Sequence, residues 1–156
     1  MIYFDAAYIA KCYLNEPGAD RVRQVAYDAD GLGSCEVARV EFASIVKRHL
    51  RERHITRGEA SDVLKEFEQD EADGVWRWFG VTPSLIEAAR ATVLRVPSQV
   101  FVRTGDALHL ACAREHGFKD VCTNDSHMLK AAKYSHVTGV NVLTNVRGVN
   151  GGAARI

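Results

Sequence analysis

Short apolar, β-prone runs alternate along this chain with stretches whose apolar residues recur at helical spacing. Strands that alternate with helices in this way predict an α/β domain on a mainly parallel sheet, because parallel neighbours need a crossover between them. Residues 1–4 form the first run and end at Asp5. Ala6, Ile9, Ala10, Tyr13 and Leu14 then mark a helix that Pro17-Gly18 stops. A second helix is expected over residues 19–29, followed by a loop or short strand at Gly31-Leu32-Gly33.

Residues 36–53 read as an amphipathic helix, with Val37, Val40, Ile45 and Val46 as its apolar side. Gly58 restarts the chain into a helix over residues 59–71 with Val63, Leu64 and Phe67 as its stripe, so these two segments should form a helical hairpin. Val75 to Phe79 is β-prone, and Thr82-Pro83-Ser84 opens a helix running to Leu94. Thr104 begins a strongly apolar helix that ends near Gly117. A strand over 118–123, a short helix over 125–133 and a last strand over 140–143 complete the order. The domain is expected to span residues 1–145, with 146–156 as a frayed tail.

The chain has 156 residues, with 20 Lys+Arg against 20 Asp+Glu and 47% hydrophobic residues, as soluble globular domains do. A zero net charge removes the bulk basic footprint of a protein that coats nucleic acid. It also hides an asymmetry: residues 1–78 hold 15 acids and 11 bases, and residues 79–156 hold 5 acids and 9 bases. No apolar run approaches the ~20 residues of a membrane span. No basic, apolar and small-residue leader opens the sequence, so a cytoplasmic protein is expected. The four cysteines are far apart and form no C-x-x-C, which reads as reduced core residues.

Acids at strand-to-helix junctions are the first candidates for a site, because open parallel sheets bind ligands beyond the carboxyl ends of their strands. Asp5, Asp106 and Asp125 occupy such places, although each is also an ordinary helix-capping residue. Glu41 lies four residues from both Val37 and Ile45, within the apolar stripe of its helix. A carboxylate there requires a cationic side chain such as Arg103, a hydrogen-bond donor or a metal. Carboxylates aimed at one crevice repel each other unless a cation is bound, and an all-oxygen set suits Mg2+ or Mn2+ better than Zn2+. None of the six histidines has H-E-x-x-H spacing, so they read as structural or solvent-facing.

Four segments, Ile2-Tyr3-Phe4-Asp5, Val40-Glu41-Phe42-Ala43, Gly105-Asp106-Ala107-Leu108-His109-Leu110-Ala111 and Thr123-Asn124-Asp125-Ser126-His127-Met128-Leu129, resemble in order and spacing the PIN-domain ribonucleases. Within that family the resemblance is to the VapC-like toxins of toxin–antitoxin pairs, over residues 1 to about 143. It implies a Rossmann-like three-layer α/β/α sandwich with a helical hairpin, a homodimer, and an acidic quartet that binds Mg2+ or Mn2+ and hydrolyses RNA. By motif the quartet is Asp5, Glu41, Asp106 and Asp125, with Thr123 at the accompanying hydroxyl position. The resemblance further implies products with a 5′-phosphate and a 3′-hydroxyl, and an antitoxin partner that inserts a segment into the groove. Ala6 and Ala7 depart from the pattern, which carries Thr or Ser shortly after the first acid.

RNA also needs cations beside such a centre, and Arg39, Lys47, Arg48 and Arg103 are the candidates; a solvated basic face is the plainer reading. Trp76 and Trp78, two residues apart in a strand, fit packing better than base stacking. A dehalogenase-like phosphatase would need an acid where Ala7 stands, and a receiver domain would need a Lys that Asn141-Val142-Leu143 does not supply. The strongest alternative is a non-catalytic PIN-like module that binds RNA or a partner through a weakened metal site.

Overall fold

Along the first strand, β1 (Ile2–Phe4), side chains alternate between two cores: Ile2 and Phe4 pack on one face of the sheet and Tyr3 on the other. The computed structural model describes residues 1–144, so the expected tail over 146–156 lies outside the described residues. The remaining strands are β2 (Leu32–Cys35), β3 (Trp76–Phe79), β4 (Asp120–Cys122) and β5 (Thr138–Val140). All neighbours pair in parallel, in the order β3-β2-β1-β4-β5. The order runs outward from β1 in both directions, which leaves a crevice between the carboxyl ends of β1 and β4.

The helices are α1 (Ala6–Tyr13), α2 (Ala19–Tyr27), α3 (Val37–Arg51), α4 (Arg57–Ala72), α5 (Pro83–Arg95), α6 (Thr104–Glu115) and α7 (Ser126–Ala131), and a 3-10 turn covers Ala132–Ser135. One core joins Phe4, Leu32, Trp76 and Cys122 of the sheet to α1 through α4. The other joins Tyr3, Cys35, Phe79 and Val121 to α5, α6 and α7. This is the expected α/β/α sandwich, with a sheet that is wholly rather than mainly parallel.

The α3–α4 hairpin closes through stacked Phe42 and Phe67, whose ring centroids are 4.2 Å apart. Burial of rings of this size contributes about 2 kcal/mol each. Its turn is set by Thr56, which accepts from the Glu59 amide while the Glu59 carboxylate accepts from the Thr56 amide. That capping box starts α4 at Arg57 and puts Gly58 inside the helix rather than before it.

Three other expectations are corrected. The buried side of α3 is Ala38, Phe42 and Val46, while Val40 is 69% exposed. The last strand is Thr138–Val140 instead of 140–143, because its register is set by pairing Asp120 with Thr138, and the Asn141 side chain turns the chain by accepting from the Leu143 amide. The expected 125–133 helix divides into α7 and the 3-10 turn. The four cysteines are unpaired, and Cys35, Cys112 and Cys122 are buried. Trp76 is also buried and donates its indole N–H to the Tyr13 hydroxyl, which makes it a packing residue. Among the described residues no helix is long and apolar enough to cross a membrane.

Candidate metal centre

Asp5 leaves β1 in extended conformation and caps α1, its Oδ1 accepting from the Tyr8 amide at 2.8 Å. Its other oxygen accepts from the Thr123 hydroxyl, which stands at the end of β4 next to β1. Only 3% of Asp5 is exposed. Burial pushes its carboxyl up to about 6; the bonds from Thr123 and Tyr8 and the nearby His109 oppose the rise, and the charge of Glu41 adds to it.

Thr123 Oγ1 also accepts from the Asp125 amide at 2.9 Å, which shapes the turn into α7. Asp125 caps that helix through Oδ1, which accepts from the amides of His127 and Met128 at 2.7 and 3.1 Å. Burial would raise the Asp125 carboxyl, but these two amides and the Arg103 guanidinium outweigh it and hold the group below its usual value. Asp106 sits in the first turn of α6, buried, and accepts from the backbone amide of Arg103 at 3.0 Å. The Arg103 side chain folds back onto Asp106 through Nε at 3.1 Å and also donates to Asp125. Arg103 therefore bridges the two acids, while its own side chain is half exposed.

Glu41 does not pair with Arg103. Its Oε2 accepts from His109 Nε2 at 2.8 Å, and its side chain is 35% exposed, lying at the cleft rather than within a closed stripe. Its other oxygen lies so close to Gly105 that a side chain at 105 would overlap it. His109 is 1% exposed. Burial would lower this imidazole, but the hydrogen bond and charge of Glu41, with the charge of Asp5, outweigh it and raise it above its usual value.

The four carboxylates thus come from four separate segments and line one cleft of about 430 Å³, together with Ala6, Ala7, Ser44, Arg48 and Arg103. Ala6 and Ala7 bring no hydroxyl to it. Ser44 has one but spends it on the Val40 carbonyl. Of the expected RNA contacts, Arg48 and Arg103 line the cleft. Arg39 does not, because it turns to Glu71 at 2.7 Å and over the Trp78 ring. Lys47 is exposed on α3, also away from the cleft lining.

The donor set fits a hard divalent cation: four carboxylates and no thiol, with a buried acid that lacks a cationic side-chain partner. Among the described residues no three Asp, Glu, His or Cys side chains stand together as a group that could hold a metal ion; Arg103 is paired with Asp106 and Asp125, and His109 with Glu41. His109 is the residue that sequence reasoning missed. A histidine three residues after Asp106, inside the apolar run Ala107 to Ala111, was its available signal.

A family model described as PIN domain matches residues 2–134. No curated protein matches the chain. Among solved structures, FitAcB from Neisseria gonorrhoeae is similar at 15% identity and a TM-score of 0.71, over 93% of this chain and 100% of that one. VapC20 from Mycobacterium tuberculosis, described as a sarcin-ricin loop cleaving toxin, is similar at 17% identity and a TM-score of 0.67, over 88% of this chain and 98% of that one. FitAB bound to an IR36 DNA fragment is similar at 16% identity and a TM-score of 0.65, over 96% and 100% of the two chains.

Proposed function

The chain belongs to the PIN domain family, and from that premise we propose that it is a divalent-metal-dependent endoribonuclease, the toxin of a toxin–antitoxin pair. The observation that carries this reading is the gathering of Asp5, Glu41, Asp106 and Asp125 around one cleft beyond the carboxyl ends of β1 and β4. The resemblance to a toxin that cleaves the sarcin-ricin loop supports RNA as the substrate.

Asp5, Glu41, Asp106 and Asp125 would hold Mg2+ or Mn2+. Such an ion, when bound, lowers the pKa of a water and offsets charge on the leaving oxygen of a phosphodiester. The protein's own part is to present its oxygens. Thr123 orients Asp5 by donating to it and orders the Asp125 turn by accepting from it. Arg48 offers a cation at the mouth of the cleft, and Arg103 becomes available to an RNA phosphate once it leaves Asp106 and Asp125. Attack of water on phosphorus that breaks the P–O3′ bond would leave a 5′-phosphate on one fragment and, once the departing 3′ oxygen is protonated, a 3′-hydroxyl on the other.

A homodimer, a cognate antitoxin that covers the cleft, and action in the cytoplasm belong to the same reading. The second reading, a non-catalytic RNA- or partner-binding module, draws on Ala6 and Ala7, which leave Thr123 as the hydroxyl that serves Asp5.

Cleavage of a structured RNA by purified protein, with and without Mg2+, separates the two. Wild type is expected to cut only with metal, and Asp106→Asn to stay folded without cutting. A variant that cuts as fast as wild type would sink the assignment of Asp106. A wild type that binds RNA without cutting it in Mg2+ or Mn2+ would favour the second reading.

A further inference from the structure

Of the six histidines only His109 is buried, and both of its ring nitrogens are engaged. Nδ1 lies 2.9 Å from the Tyr3 hydroxyl, Nε2 lies 2.8 Å from Glu41 Oε2, and the Tyr3 hydroxyl accepts from the Cys35 amide at 3.1 Å. The rings of Tyr3 and His109 meet edge to face at 5.8 Å, which fixes the imidazole plane. One chain of bonds therefore runs from the end of β2 through β1 and α6 to α3.

Of the four acids the chain bonds Glu41 alone, but its members stand next to two others in sequence: Asp5 follows β1 two residues after Tyr3, and Asp106 precedes His109 by three residues on α6. Among the described residues His109 is the side chain bonded to Glu41, a long, partly exposed group that would otherwise sample several rotamers. Gly105 adds the space: its missing side chain lets the Glu41 carboxylate rest against the first turn of α6.

We propose that His109 is a positioning residue that fixes the Glu41 carboxylate in the cleft as a preset oxygen ligand, with Gly105 supplying the gap into which it fits. The role is the same in both protonation states of the ring, because a carboxylate only accepts and Nε2 must carry a hydrogen in either case. The inference rests on the metal-dependent reading above. Partners that orient a ligand in this way change metal affinity by ~10–100-fold when removed.

The test is a Mn2+ titration followed by the electron paramagnetic resonance signal of the free ion, on wild type, Glu41→Gln, His109→Leu and the double variant. The expected result is that His109→Leu weakens Mn2+ binding by ~10–100-fold in wild type and by less than about twofold in the Glu41→Gln background. His109→Gln, whose amide still reaches toward Glu41, should recover most of the loss. Equal losses in both backgrounds, or no loss in wild type, would overturn the proposal. Should His109→Leu lose its circular dichroism, the cycle is run with His109→Asn, whose shorter amide meets Tyr3 and not Glu41, under the same two criteria. A wild type that takes up no Mn2+ would overturn the metal-dependent reading itself, and the proposal with it; that outcome is distinguishable because the free-ion signal then rises in step with added Mn2+ in all four titrations.

Discussion

Asp5 and Glu41 are held by groups the protein buries, Thr123 and His109, whereas Asp106 and Asp125 share an arginine that solvent reaches. The two halves of the cleft solve the repulsion among four carboxylates differently. The half formed by Asp5 and Glu41 relies on directional donors fixed by the sheet and α6, so its geometry is set when the fold forms. The half formed by Asp106 and Asp125 is neutralised by a half-exposed arginine, which a bound divalent cation would displace. A site divided in this way can be preorganised on one side and exchange its counter-charge on the other.

Breaking the half formed by Asp5 and Glu41 should give the largest effect. Asp5→Asn is expected to lower metal-dependent RNA cleavage by at least ~100-fold, since it removes an anionic ligand. The same variant should melt at a higher temperature than wild type in metal-free buffer at pH 7.5, because it removes a buried charge. Cleavage assays and thermal denaturation read the two signs separately. A variant that is both inactive and less stable would mean that Asp5 acts chiefly as a helix cap.

Thr123→Val comes next. The change deletes the hydroxyl that donates to Asp5 in buried surroundings and accepts from the half-buried Asp125 amide, at a cost of about 2 kcal/mol in urea denaturation. It should also weaken Mn2+ binding, because Asp5 loses its orienting donor.

A pH effect of similar size follows from Asp5. Its folded value of about 6 lies above the usual carboxylate value near 3.8, so the folded state binds the proton more tightly. Stability of the metal-free protein should therefore fall as pH rises from 4 to 6, by roughly 2–3 kcal/mol from this group, and then level off. Divalent cation reverses the trend, so Mn2+ should raise the melting temperature more at pH 7.5 than at pH 5. An equal rise at both values would show that Asp5 does not meet the ion.

The smallest change in folding is expected from the half that Arg103 neutralises. Arg103→Gln should shift stability by at most ~1 kcal/mol, as half-exposed ion pairs do. Mn2+ should bind more tightly to this variant, because the ion and the guanidinium compete for the same oxygens of Asp106 and Asp125. Calorimetric titration that finds weaker binding would make Arg103 an organiser of the site and erase the contrast between its halves.

What the sequence disclosed follows the same division. Asp5 was legible because an apolar run ends on it and a helix follows at once, and Asp106 because it opens a helix apolar on every side. The contact of Arg103 with Asp106 is three residues long and local, but its reach to Asp125 depends on α6 and α7 meeting in space. Glu41 could be recognised as needing a partner, yet His109 is 68 residues away and no periodicity connects them. The last strand departs from its apolar pattern because three residues at a sheet edge take their register from β4. Val40 departs for a related reason: an apolar residue on a helix marks a buried face only when a neighbour covers it, and Val40 stays 69% exposed.

The end groups of the RNA fragments test the central claim most directly. Wild-type protein in Mg2+ should yield fragments with a 5′-phosphate and a 3′-hydroxyl, and the same RNA should stay intact with chelator or with Asp5→Asn. Fragments ending in a 2′,3′-cyclic phosphate, or fragments equally abundant in chelator, would contradict hydrolysis by a metal-dependent carboxylate centre.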